Sequence, residues 1–133
     1  MASIRKEIRI AAPAAQVWDA LRDVGALHTR LVPGFVLDTR LEPGARIVTF
    51  ANGAIARELI VTLDDAERRL VWSVVGGPFV HHNAAAQVLD DDGGCRFVWI
   101  ADVLPDAAVG TVAAMMEQAV QTIRRTMETP RAT

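Results

Sequence analysis

From Ser3 to Ala11 polar and apolar residues alternate, with Ile4, Ile8 and Ile10 on one side and Arg5, Glu7 and Arg9 on the other. A period of two is that of a half-buried strand, and Lys6 is out of place on its apolar side. Ala12-Pro13 stops the strand. Pro13 suits a first helical position, because its missing N–H would have no partner there. Ala14, Val17, Trp18 and Leu21 then follow at helical spacing, and Asp23 to Gly25 breaks the helix. A short second helix is expected over 26–31, ending before Pro33.

Beyond it the chain is punctuated as a meander. Pro33-Gly34, Pro43-Gly44, Asn52-Gly53, Asp64 to Arg68, Gly76-Gly77-Pro78 and Asp90 to Gly94 are turn signals. Asn52-Gly53 is the strongest of them and predicts a type I′ hairpin. The intervening segments, 35–42, 45–51, 54–63, 69–75, 79–89 and 95–104, are all of strand length. No crossover is long enough for parallel pairing, so the six pair antiparallel. Pro105 ends the last strand, and 106–128 reads as a helix with Asp106 near its start. Val109, Val112, Ala113, Met116, Ala119, Val120, Ile123 and Met127 line its apolar face.

The order β-α-α-β6-α makes an α+β fold. A seven-stranded antiparallel sheet curves around the long C-terminal helix, and the two short helices close one end. One domain over 1–128 and a polar tail at 129–133 are expected. A strongly curved sheet under a single helix leaves a gap, the natural place for a ligand.

Composition narrows the function. Of 133 residues 51% are apolar, enough for a core, and the net charge of −2 carries no basic footprint for nucleic acid. Tyr is absent, and four Phe and three Trp offer little for base stacking. Cys95 is the only cysteine, which suits a reducing, cytoplasmic setting. No signal-peptide core and no membrane-length apolar run is found. No cofactor motif of the G-x-G-x-x-G or phosphate-loop kind occurs.

The element order and several segments resemble the SRPBCC superfamily. That superfamily groups START lipid-transfer domains, birch-pollen-allergen-like proteins and polyketide cyclase/dehydrase-type proteins. The resemblance rests on the opening strand followed by APAAQVWDALRD, on RLVPGF, on RELIVTLDDAERRLVWSV, on HHNAAAQV and on CRFVWIADVLP before the last helix. It implies a helix-grip fold with an internal cavity that binds a hydrophobic or amphipathic small molecule, and in some branches catalysis on it. It also implies which strand faces point inward. Leu70, Trp72 and Val74 would face the cavity, as would Phe97, Trp99 and Ala101. By the same carry-over Glu58, Asn83 and Gln87 become polar groups in an apolar chamber.

His81-His82-Asn83 is the sharpest polar cluster. Adjacent strand residues point to opposite faces, so one histidine enters the cavity, and parity with Asn83 favours His81. The alternative is a polar rim at the start of a strand. Glu58 reads as a ligand anchor or general base, or as a structural ion pair with Arg46 or Arg57. Its strand carries Leu59, Val61 and Leu63 on the side opposite Glu58, which leaves its parity open. His28 and Arg30 follow the first helix and lie in a solvated loop or a gate. No set of three ligands converges, so no metal is expected.

Three functions follow. The first is binding or carriage of a lipid, polyketide-like or isoprenoid molecule. The cavity wall would be Trp72, Asn83, Gln87, Phe97 and Trp99, facing Met116. The second is a polyketide cyclase/dehydrase-like enzyme using His81, Glu58 and Asn83 in acid–base roles. The third is a co-chaperone-like or toxin-like interaction module, with Leu59, Val61 and Leu63 exposed. A monomer or homodimer suits each.

Overall fold

The computed structural model describes residues 1–129; residues 130–133, most of the expected tail, lie outside the described residues. Strand β1 (Ala2–Ile10) leads into helix α1 (Ala14–Arg22), with Pro13 capping the helix just ahead of its first residue. The second short helix is a single π turn, Leu27–Leu31, closed by the Val32 N–H donating to the Leu27 carbonyl at 3.0 Å. Six strands follow: β2 (Val36–Glu42), β3 (Ala45–Phe50), β4 (Ile55–Asp64), β5 (Arg69–Val75), β6 (His81–Asp91) and β7 (Gly94–Leu104). One 3-10 turn, Asp106–Ala108, precedes helix α2 (Val109–Glu128), so the last helix starts a turn later than its apolar pattern suggests.

All pairings are antiparallel, in the order β1-β7-β6-β5-β4-β3-β2. The expected type I′ turn at Asn52-Gly53 is a longer loop instead. Only Gly53 takes a positive φ (89°), and the Asn52 side chain accepts the Ala54 N–H at 2.9 Å. Two consecutive positive φ values occur instead at Asp92-Gly93, 46° and 81°, between β6 and β7, and at Gly76-Gly77, 80° and 69°, between β5 and β6.

The concave face buries Ile4, Ile10, Val48, Leu70, Trp72, Phe97, Ala101 and Val103. Val112, Met116, Val120 and Ile123 of α2 lie on it, and together they form one core. Lys6 is explained by its place on an edge strand. It lies opposite Trp99 on the concave side and reaches Glu117 of α2 at 3.4 Å.

A bulge between Ile60 and Thr62 shifts the register of β4 against β5. Ahead of it, Glu58 pairs with Val74 and Ile60 with Trp72; beyond it, Leu63 pairs with Leu70. Leu63 therefore turns to the concave side, while Leu59 lies opposite Ser73 on the convex one. The single apolar face expected of Leu59, Val61 and Leu63 is split.

Candidate functional site

The site is built by small residues between large ones. Across the concave face, Trp72 lies beside Ala84 and Trp99 beside Ala86. The two alanines leave room for the indoles to lean toward each other over β6, with ring centroids 5.9 Å apart. Helix α2 passes above and does not fill what remains. A cavity of about 60 Å³ lies there, lined by Leu21, Leu31, Val32, Phe97 and Ala119, among others, with Trp72 and Trp99 on the sheet side.

Its mouth is formed by partly buried groups. Phe35 and Phe50 meet edge to face at 5.8 Å, beside Leu27 of the π turn and Met115 of α2. Gly25 and Gly34 (φ 84°) flank that turn. The turn is tied down by His28 Nδ1 at 3.1 Å from Thr39 Oγ1, and by Arg30, which pairs with Asp19 and Asp23 of α1 and its C-terminal cap. These ties make His28 and Arg30 structural anchors of the mouth.

Arg46 is the charged residue of the lining. It lies directly opposite Glu58 in the β3–β4 register, and its Nε donates to Glu58 Oε1 at 2.8 Å. Both side chains are buried, at 3% and 8% exposure. Its Nη1 donates to the Val24 carbonyl at 3.3 Å, and its Cζ stands 5.6 Å from the centre of the Trp72 ring. Glu58 thus faces inward, as an ion-paired group. An apposed Arg–carboxylate pair offsets part of its desolvation, and the indole face adds a cation–π contact.

Two other polar atoms are buried with no hydrogen-bond partner among the described residues: Trp99 Nε1 and His82 Nδ1. Trp99 borders the cavity. His82 lies further toward the start of β6, 5% exposed, its ring 4.8 Å from that of Phe79. Burial, and secondarily the charge of His81, push the His82 imidazole below its ordinary pKa.

The strand β6 corrects the sequence reading. His82, Ala84, Ala86 and Val88 are buried, so His81, Asn83 and Gln87 belong to the convex face. Asn83 lies opposite Ser73 and Asp102, and Gln87 Nε2 donates to the Glu67 carbonyl at 3.0 Å. The pleat decides this: Ala84 shares a row with Trp72, so its neighbours must point away. His81, Glu58 and Asn83 therefore do not converge on one point. Of the expected wall, Trp72, Phe97 and Trp99 line the cavity. Met116 is fully buried in the core, and the neighbouring Met115 reaches the cavity instead. Arg46 as a lining residue was missed, although Arg46, Val48 and Phe50 share one parity and mark it as an inward charge.

A wider cleft of about 490 Å³ opens on the surface where Ala11–Pro13 meet Gln16, Asp19, Arg30 and the end of α2. It is more open than the cavity. Its charged members are already engaged: Arg30 is ion-paired with Asp19, and Glu128 accepts the Ala11 N–H at 2.7 Å. It is wider than the cavity, but it lacks the enclosed apolar walls that retain a ligand. Among the described residues no cluster of His, Cys, Asp and Glu is placed to hold a metal, and no helix is long and apolar enough to cross a membrane.

A family model described as "Polyketide cyclase / dehydrase and lipid transport" matches residues 1–128. Solved structures share the fold. A Thermobifida fusca protein is 27% identical with a TM-score of 0.74, over 96% of this chain and 91% of the other. A Bacillus thuringiensis protein is 16% identical with a TM-score of 0.85, over 95% and 98%. A START superfamily protein from Mycobacterium smegmatis is 12% identical with a TM-score of 0.71, over 95% and 94%. No curated protein matches. The helix-grip architecture expected from the sequence is thus the one observed.

Proposed function

Because the chain belongs to the polyketide cyclase/dehydrase and lipid transport family, we propose that it binds a small hydrophobic or amphipathic molecule between α2 and the concave sheet. The observation that carries this reading is the apolar cavity under α2, walled by Trp72, Trp99 and Phe97. Its volume is about 60 Å³. Pockets that hold drug-sized ligands run from roughly 300 to 1,000 Å³. Entry therefore requires the mouth to yield. Phe35, Phe50 and Met115 are its half-buried parts, beside the anchored π turn. Opening lowers apparent affinity by the fraction of molecules open at any time.

Holding is favoured over transformation. His81 and Asn83 lie on the convex face, and Glu58 is bound to Arg46, so the acid–base set named from the sequence has no common point of action.

The test is thermal unfolding with palmitate, a flat polycyclic ketone and an isoprenoid quinone, in the natural chain and in Ala119→Leu. Ala119 lines the cavity from α2, and a leucine there occupies the space. A ligand at about a hundred times its Kd stabilises by about 2.7 kcal/mol, which is several degrees in Tm. The reading expects one or more compounds to raise the Tm of the natural chain and not that of Ala119→Leu. No rise with any compound, or equal rises in both proteins, overturns it.

A further inference from the structure

We propose that the indole N–H of Trp99 is the donor that positions the ligand, and that the cavity therefore selects a neutral molecule bearing a carbonyl-type oxygen over a hydrocarbon or a carboxylate. This rests on the binding reading above and adds the chemistry of the ligand to it.

Trp99 borders the cavity, and its Nε1 is buried without a partner. The sheet register explains why. Across β6 its neighbour is Ala86, which has no side-chain acceptor, and across β1 it is Lys6, whose ammonium is itself a donor and is engaged by Glu117. No side chain on that row supplies an oxygen. A buried N–H left unmade forfeits its hydrogen bonds to water, so a ligand oxygen that takes this proton restores what folding removed.

The charge of the lining sets the rest of the specificity. Arg46 is already matched by Glu58, at 2.8 Å with both side chains buried. A carboxylate brought into the cavity would leave one negative charge without a counter-charge, and a buried unpaired charge is strongly unfavourable. A neutral ketone, ester or quinone oxygen meets the indole donor without that penalty. The tilted Trp72–Trp99 pair, 5.9 Å apart, offers ring faces to the apolar body of the ligand.

The experiment uses the full chain, 15N- and 13C-labelled, with acetophenone, ethylbenzene and benzoate as probes of similar size. The indole N–H resonances of Trp18, Trp72 and Trp99 are assigned by single substitution to Phe. Acetophenone is expected to move the Trp99 indole proton downfield, and ethylbenzene to shift the Ala119 and Ile123 methyl groups without that downfield move. Trp99→Phe should weaken acetophenone about fivefold more than ethylbenzene, the factor of one modest hydrogen bond. Equal weakening of the two, or benzoate binding more tightly than acetophenone, overturns the assignment while leaving the cavity reading in place. No cavity shift with any probe overturns both. If Trp99→Phe fails to fold, the indole shift in the natural chain decides alone.

Discussion

The β3–β4 hairpin and the β6–β7 hairpin both carry polar side chains onto the concave face, and only the first gives them partners. Arg46 and Glu58 stand directly opposite each other across β3 and β4. His82 stands opposite Val103, and Trp99 opposite Ala86. The same interior thus holds one polar pair closed within the protein and two polar groups left open. The difference lies in register. One residue of slip between β3 and β4 would separate Arg46 from Glu58 and put one of them on the convex face. The closed pair holds the hairpin in place, and the open groups are what the interior has left to offer a ligand.

The sharpest way to break this contrast is to open the closed pair. Glu58→Ala leaves the Arg46 guanidinium buried with no counter-charge, and should lower stability by about 3–5 kcal/mol. Denaturant unfolding measures it. The double variant Arg46→Met/Glu58→Leu should recover most of that loss, because an apolar pair of similar volume needs no desolvation. If Glu58→Ala is no less stable than the natural chain, the pair is not what anchors the hairpin.

The second test acts on the open side. His82 is held neutral: burial, and then His81, lower its pKa from the ordinary 6.5. Below that value the unfolded chain takes up a proton at this position that the folded chain resists. Its contribution to stability is therefore present above pH 6.5 and is lost as pH falls toward the lowered folded value. His82→Leu should flatten that dependence. It should also raise stability at neutral pH by about 1 kcal/mol, since an unpartnered buried nitrogen is replaced by carbon. Urea unfolding from pH 7.5 down to 5.0, on the order of the range where histidine titrates, compares the two proteins. Identical slopes would show that burial of His82 does not set the pH dependence of stability.

The third prediction sharpens the role of the space itself. Ala119→Leu fills the cavity from the helix side, and filling a void commonly adds about 0.5–2 kcal/mol. The expected gain here is at the low end, because Arg46 and the indoles already narrow the space. A loss greater than about 1.5 kcal/mol would mean the wall is packed too tightly to be a binding site.

Much of this was legible in the sequence. Turn residues separated the strands, and the period of α2 marked its buried face at Val112, Met116, Val120 and Ile123. Alternation grouped Trp72, and Phe97 with Trp99, on one face of their strands, and the resemblance turned those faces to the cavity. The strand β6 was not legible in that way. Residues His82 to Val88 hold three consecutive alanines, which suit either face, so the stretch carries no polarity signal. Asn83 and Gln87 were assigned inward by resemblance, and only the pairing of Ala84 with Trp72 shows otherwise. The bulge after Ile60 was equally hidden: an extra residue reverses the faces beyond it without any mark in the composition. The π turn was hidden for a similar reason, since Leu27 and Leu31 have a spacing that an α-helix also produces.

The smallest expected effect completes the contrast, because it concerns the same strand one pleat away. Asn83 and Gln87 are as polar as His82, yet they face outward, where water or a neighbouring carbonyl satisfies them. Asn83→Ala and Gln87→Ala should each change stability by no more than about 0.5 kcal/mol, as for surface positions generally. Gln87→Ala should show the larger change, since it loses the bond to the Glu67 carbonyl in the β4–β5 turn. Neither should alter the binding of a cavity ligand or the Trp99 indole resonance. A several-fold loss of affinity in Asn83→Ala would place that side chain at the ligand after all. That outcome would require β6 to shift by one residue against β5, exchanging Ala84 for Asn83 beside Trp72. Register is thus the quantity this pair of substitutions measures. Their silence would show that the outward residues of β6 take no part, so that polar recognition on this strand pair falls to its inward groups, His82 and Trp99.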